Sequence, residues 1–112
     1  MSLSLRLLPC ALALVAVFLV APAGAQPSFD CSKSEHDVED LICEDDELAG
    51  LDQSLSGLYG ALLKSLPAGE QKNLKAEQRG WIKGRNECWK ADNMRNCVQA
   101  EYEARINELK DR

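Results

Sequence analysis

The amino-acid sequence predicts a small all-α domain of about four helices, cross-linked by two disulfides and dominated by a long antiparallel helical hairpin. Three observations lead to this prediction. Leucines recur at three- and four-residue steps from Leu48 to Leu66, the spacing of a helix with one apolar face. No segment of the sequence alternates in the manner of a half-exposed strand. The four cysteines after residue 30 fall into two close pairs, as expected for a short exported chain with disulfides.

The first 25 residues have the composition of a secretory signal peptide. Arg6 is the only charged residue before Asp30, an apolar run follows it to Val20, and Ala23-Gly24-Ala25 offers small residues for cleavage. The apolar run is short for a bilayer span, which needs about 20 residues. We therefore expect cleavage after Ala25 and a mature periplasmic or secreted domain, residues 26–112, that is free of the membrane. The alternative is an uncleaved anchor.

The first two helices are predicted from capping residues and apolar spacing. A short helix is expected over about Glu35–Cys43, with Ser34 as its N-cap. The second helix begins after Asp45, a residue type that accepts hydrogen bonds from the first free N–H groups of a helix. It carries the leucine stripe until Pro67, because proline has no N–H and cannot continue the helix.

The third helix is expected over about Glu70–Trp89, and the fourth follows a break at residues 91–93. Gly80 and Gly84 lie four residues apart on one face of the third helix. Because each glycine costs about 1 kcal/mol of helix stability relative to alanine, we expect both to permit a close approach of another helix. Structural packing roles are assigned to Trp81 on the third helix and Tyr102 on the fourth.

The two disulfides can be connected in three ways. The local pairing joins Cys31 to Cys43 and Cys88 to Cys97. Four extended residues after Cys31 reach roughly 13 Å, about the length of the two-turn helix that ends at Cys43. A helical corner brings the second pair together in the same way, so reach favours the local pairing. Cysteines held in disulfides are not available as catalytic nucleophiles.

Acidic residues are concentrated near the start of the mature chain. Residues 30–52 hold ten acidic residues against the single base Lys33, and the whole chain has a net charge of −5. This distribution disfavours nucleic acid as a partner and permits a basic protein, although the acids also serve solubility and helix capping. The candidate partner-binding residues are Glu35, Asp37, Glu39, Asp40, Glu44, Asp45, Asp46 and Glu47.

No residue pattern predicts catalysis, a metal or a cofactor. The acidic run 44–47 lacks the alternating spacing and central glycine of a calcium loop. His36, the only histidine, has no partners for a catalytic triad in the sequence around it. A helical hairpin of this size leaves little room for a substrate cleft, so we do not expect an enzyme.

The order of short motifs resembles the LprI-type lysozyme inhibitor domain, a family of bacterial secreted proteins that was long filed as a domain of unknown function. The resemblance covers essentially the whole mature chain. It is carried by Phe29-Asp30-Cys31, Val38-Glu39-Asp40-Leu41-Ile42-Cys43, Asp46-Glu47-Leu48-Ala49-Gly50-Leu51-Asp52, Leu58-Tyr59, Ala76-Glu77-Gln78-Arg79-Gly80-Trp81-Ile82-Lys83, Arg85, Cys88, Cys97, Tyr102-Glu103-Ala104-Arg105-Ile106 and Leu109.

The resemblance implies a helical, disulfide-bonded, exported bacterial domain and a lysozyme as its partner. Together with the charge asymmetry, it leads to the hypothesis of a steric inhibitor. In this hypothesis an acidic surface, residues 35–47, docks near the cleft of a basic lysozyme and excludes the glycan. The alternatives are an accessory cell-envelope module that binds another envelope component and, third, an enzyme acting on wall glycans. The sequence does not predict the oligomeric state.

Overall fold

The structure is a computed structural model that describes residues 4, 13–17 and 24–112. Most of the predicted signal peptide, residues 1–25, lies outside the described residues, and its cleavage stays a prediction. Four α-helices and two 3₁₀ turns form the described part of the chain, which confirms the all-α class. No helix there has the length and apolar character needed to cross a bilayer. The helices are α1 (Asp37–Glu44), α2 (Asp46–Ser65), α3 (Ala68–Asn86) and α4 (Met94–Lys110), and the 3₁₀ turns are Cys31–Lys33 and Glu87–Lys90.

Helix α2 begins and ends where the sequence predicts. The backbone N–H of Leu48 donates to Asp45 Oδ1 at 3.0 Å, so Asp45 is the N-cap. The helix ends at Ser65, and Pro67 separates it from α3. These boundaries confirm that the acidic cap and the proline set the length of this helix.

The cap of α1 differs from the prediction. His36, not Ser34, is the N-cap, because its Nδ1 accepts the backbone N–H of Val38 at 3.1 Å. Ser34 instead closes the preceding 3₁₀ turn through its own N–H. Its hydroxyl donates to Asp40 Oδ1 at 2.6 Å. The helix therefore starts two residues later than expected.

Helices α2 and α3 form the predicted antiparallel hairpin, and α4 packs along it. At the turn, Gln71 Nε2 donates to the carbonyls of Leu63 and Leu66 at 2.9 and 3.0 Å. At the opposite end, Asp52 on α2 and Arg85 on α3 meet at one hydroxyl group of α4. Helix α4 runs parallel to α2 and packs against it more extensively than α3 does. The hairpin is therefore completed by the last helix.

All four helices contribute to the core, which also contains a cysteine from the second 3₁₀ turn. The structure pairs Cys31 with Cys43 and Cys88 with Cys97, with Cα–Cα distances of 6.0 and 5.6 Å. The first disulfide ties the N-terminal 3₁₀ turn to the end of α1, and the second ties the end of the hairpin to α4. The core residues are Val38, Ile42, Leu48, Leu55, Leu74, Cys88, Val98, Tyr102 and Leu109.

Two expectations about the third helix are wrong. Among the residues that the structure describes, a Cβ atom placed on Gly80 or Gly84 would meet no atom of another element within 4 Å, and both glycines are exposed. No helix of the described part approaches this face, because α3 turns its opposite face, with Leu74 and Arg85, towards the core. The helix also ends at Asn86, and the 3₁₀ turn that follows leaves the Trp89 side chain at the surface.

Candidate functional site

The eight carboxylates predicted to bind a partner lie between the segment just before α1, which holds Glu35, and the first turn of α2. We call this region, residues 35–47, the acidic face. Six of the eight residues are exposed, and Glu39 and Asp45 are half-buried. The structure therefore brings the sequence-predicted residues to one end of the domain, but it does not leave all of them free.

Arg95 of α4 engages two residues of the acidic face. Its Nε lies 2.6 Å from Asp45 Oδ2, and one of its terminal nitrogens lies 2.9 Å from Glu47 Oε2. Gln99 also donates to Glu47 at 3.2 Å. The hydrogen bond from Arg95, followed by that from the Leu48 N–H, lowers the pKa of Asp45. These two carboxylates therefore hold α4 against α2.

Six carboxylates of the acidic face form no ion pair with a residue in the range 24–112. Glu39 is half-buried, and the other five are exposed: Glu35, Asp37, Asp40, Glu44 and Asp46. Unpaired acids on one end of a small domain produce a local negative potential that attracts a basic partner. This is the part of the predicted surface that is available for binding.

An exposed tryptophan borders the acidic face. The Trp89 side chain is 54% exposed, and it lines a shallow cleft with Glu35, His36 and Asp37. Lys90 Nζ lies 5.6 Å from the centre of the indole ring. Trp89 was predicted as the last residue of the third helix, and the exposure of its ring was not predicted.

A groove lies between α2 and α3, beside the acidic face. Its volume is about 280 Å³. One wall comes from each long helix, and the segment before the first 3₁₀ turn and α1 close its end. It is lined by Ser28, Phe29, Glu39, Asp52, Leu55, Ser56, Tyr59, Gln78, Trp81, Ile82 and Arg85.

Three buried polar side chains form a hydrogen-bonded network at the floor of the groove. The hydroxyl of Tyr102 donates to Asp52 Oδ1 at 2.8 Å and accepts from Arg85 at 2.9 Å. The backbone N–H of Ser28 donates to Asp52 Oδ2 at 2.6 Å, so both oxygens of this carboxylate are satisfied. Burial raises the pKa of Tyr102, which keeps its hydroxyl protonated and able to donate.

Aromatic contacts fix the positions of the network residues. The rings of Trp81 and Tyr102 meet edge to face, with their centres 5.0 Å apart and an interplanar angle of 69°. The Trp81 indole N–H donates to the carbonyl of Glu101 at 3.3 Å, which joins α3 to α4. The guanidinium carbon of Arg85 lies 5.6 Å from the centre of the Trp81 ring. These contacts support the structural roles assigned to Trp81 and Tyr102.

The burial of Asp52 and Arg85 was not predicted from the sequence. These residues are only 5% and 3% exposed. A signal was present, because Asp52 lies four residues after Leu48 and three before Leu55, on the same helical stripe. A charged residue in an apolar stripe indicates a buried partner.

The buried network holds one carboxylate in a structural role. Asp52 accepts two hydrogen bonds inside the fold, one on each of its oxygens. In the ranges that the structure describes, no group of three or more histidine, cysteine or acidic side chains is arranged to hold a metal ion. The distinctive features are therefore a negative surface, an exposed aromatic ring and a groove.

Comparisons with known proteins agree with the resemblance seen in the sequence. A family model described as "Lysozyme inhibitor LprI" matches residues 30–109. The chain is similar to Lipoprotein LprI of Mycobacterium bovis and of Mycobacterium tuberculosis, with 34% identity over 89 residues in each case. The matched region covers 80% of this chain and 43% of each relative, so the chain spans less than half the length of the curated relatives it matches. No solved structure matches it.

Proposed function

Because the chain belongs to the LprI lysozyme inhibitor family, we propose that it is an exported bacterial protein that binds a lysozyme and blocks it sterically. The family is described as one of inhibitors. A binding role accords with the hydrogen bonds that both oxygens of Asp52 already accept at the groove floor. Export is supported by the signal-like residues 1–25 and by the lipoprotein names of the relatives. In this proposal the chain has no catalytic activity of its own.

The observation that supports this proposal best is the set of five exposed carboxylates of the acidic face that form no ion pair with residues 24–112. A strongly basic lysozyme would be attracted by their potential, which raises the association rate and favours basic partners over acidic ones. The Cys31–Cys43 disulfide restrains α1, so less conformational entropy is lost on docking. A domain held across the cleft of the lysozyme would exclude the glycan.

The test is inhibition of cell-wall lysis by a basic lysozyme, measured at increasing concentrations of the purified protein and of salt. We expect inhibition at low salt that weakens as salt screens the exposed charges. The double variant Glu35→Lys, Asp37→Lys should lose inhibition. The matched control Glu70→Lys, Asp111→Lys changes the net charge equally at exposed positions outside the acidic face. Lysis that continues unchanged at micromolar protein in low salt would exclude the proposal.

The alternative is an accessory module that binds another component of the cell envelope. It is favoured by the coverage of the relatives, because an activity of the longer proteins could depend on segments that have no counterpart here. Affinity capture from an envelope extract, with and without added lysozyme, separates the two functions. A captured envelope protein that lysozyme does not displace would support the accessory module.

A further inference from the structure

We propose that the groove between α2 and α3 receives one lysine or arginine side chain of a basic protein partner. This inference rests on the proposed function and names the anchoring site within it. The groove would provide a specific contact, whereas the acidic face alone provides long-range attraction. The size of the groove, its charge, its walls and its position all favour such an occupant.

The size of the groove suits a single side chain. Its volume of about 280 Å³ falls just below the range of about 300–1,000 Å³ that holds drug-sized ligands. An oligosaccharide or a folded peptide segment would exceed it. The occupant is therefore one side chain or one ring.

The charges that line the groove sum to a negative value. Arg85 and Asp52 offset each other through the Tyr102 hydroxyl, which bonds to both. Glu39 is the remaining charged group of the lining, and it has no ion pair with any residue between 24 and 112. A cationic group entering the groove would give this half-buried carboxylate a partner.

The walls of the groove suit the stem of a long basic side chain. Phe29, Tyr59 and Trp81 contribute aromatic rings, and Ile82 contributes an apolar edge. Lysine and arginine pack their methylene groups on such surfaces, and their charged ends are attracted to aromatic faces. An anionic occupant would lack this attraction and would be repelled by Glu39.

The position of the groove links it to the acidic face. Glu39 lies on α1 and belongs to both, so a partner docked on the acidic face can reach the groove without a second contact region. In many protein interfaces a few side chains buried in pockets contribute most of the binding energy, and the contacts around them mainly exclude water.

The first experiment tests the groove without a lysozyme. N-acetyl-L-arginine amide is titrated into the ¹⁵N-labelled protein, and the indole N–H signal of Trp81 is followed by NMR. The control ligand is N-acetyl-L-citrulline amide, which has nearly the same shape and no charge. We expect a saturable shift with the arginine compound at millimolar concentration and none with citrulline. Equal shifts, or a shift caused by N-acetylglucosamine alone, would overturn the inference.

The second experiment measures lysozyme affinity for three folded variants. Glu39→Gln should weaken binding about tenfold, the lower end expected for a charged hydrogen bond. Ser56→Arg, which places a competing cation at the rim of the groove, should weaken it at least as much. Glu70→Gln changes the net charge as Glu39→Gln does, but it lies outside the groove and should stay within about twofold of wild type.

The two experiments separate failure of this inference from failure of the proposed function. Wild-type protein that binds arginine amide but no lysozyme would refute lysozyme binding and support the groove as a site for basic side chains. Lysozyme binding that is unaffected by both Glu39→Gln and Ser56→Arg would support the proposed function and refute the groove.

Discussion

Replacement of Tyr102 by phenylalanine should destabilise the domain by removing one hydroxyl group. This hydroxyl lies between Asp52 and Arg85, at 2.8 and 2.9 Å, and both charged residues are at least 95% buried. The aromatic ring is retained, so the packing against Trp81 is preserved. The variant therefore removes two hydrogen bonds and leaves two buried charged groups each one partner short.

The size of the effect follows from those two bonds. Each hydrogen bond to a charged group contributes about 1.5–3 kcal/mol, and relaxation of the site recovers part of the loss. We expect the free energy of unfolding to fall by about 3 kcal/mol. In a domain of this size each kcal/mol lowers the melting temperature by about 4–8 °C, so the melting temperature should fall by about 12–24 °C.

The assay is urea denaturation with intact disulfides, followed by circular dichroism and repeated at several pH values. Tyr59→Phe is the control, because no hydrogen bond of the Tyr59 hydroxyl is found among residues 24–112. The raised pKa of Tyr102 adds a second signature. The stability that Tyr102 contributes is present below the usual tyrosine pKa of 10.0 and is lost as the pH rises above that value. The stability of the Tyr102→Phe variant should not show this decrease. Surface substitutions usually change the free energy of unfolding by less than about 0.5 kcal/mol. A Tyr102→Phe variant whose free energy of unfolding differs from that of the wild type by no more than this would refute the reasoning.

Three further predictions concern the scaffold. Gly80→Ala should stabilise the protein by about 0.5–1 kcal/mol in a thermal melt, because alanine favours the helix and its Cβ would meet no neighbour among the described residues. A destabilised variant would indicate a contact at this face. Asp45→Asn keeps a capping side chain but removes the charge beside Arg95, so the variant should be less stable than the wild type at neutral pH. The difference in stability should shrink as the pH falls below 3.8, because protonation of Asp45, whose pKa is lowered in the fold, then removes its contribution in the wild type. A difference that does not depend on pH would contradict this role. Peptide mapping without reduction should recover Cys31 linked to Cys43, and a peptide joining Cys31 to Cys88 would disprove the pairing.

The fold was largely predictable because its signals are local. The leucine stripe of α2, the cap at Asp45 and the stop at Pro67 depend on residues within a few positions of one another. The predicted N-cap of α1 was wrong because two nearby residues can serve as the cap. Ser34 closes the preceding 3₁₀ turn, and His36 caps the helix. Propensity alone could not decide between two residues that lie two positions apart and can both accept a hydrogen bond from the first N–H groups of the helix.

The candidate site was less predictable because it depends on contacts between distant residues. The sequence identified the acidic face by composition, but it could not show that Arg95, about fifty residues away, neutralises Asp45 and Glu47. It also gave no indication that Glu39 lies at the end of a groove formed by two other helices.

The sequence by itself determined the all-α class, the long helical hairpin and the family, because apolar periodicity, capping residues and short motifs each depend on residues that are close together in the sequence. Only the tertiary structure decided which charges are buried and which are free. Asp52 and Arg85 became a buried network because α4 places Tyr102 between them, and Gly80 and Gly84 turned out to face solvent because the other side of α3 covers the core. Burial depends on where three helices meet, and that arrangement is a property of the whole fold.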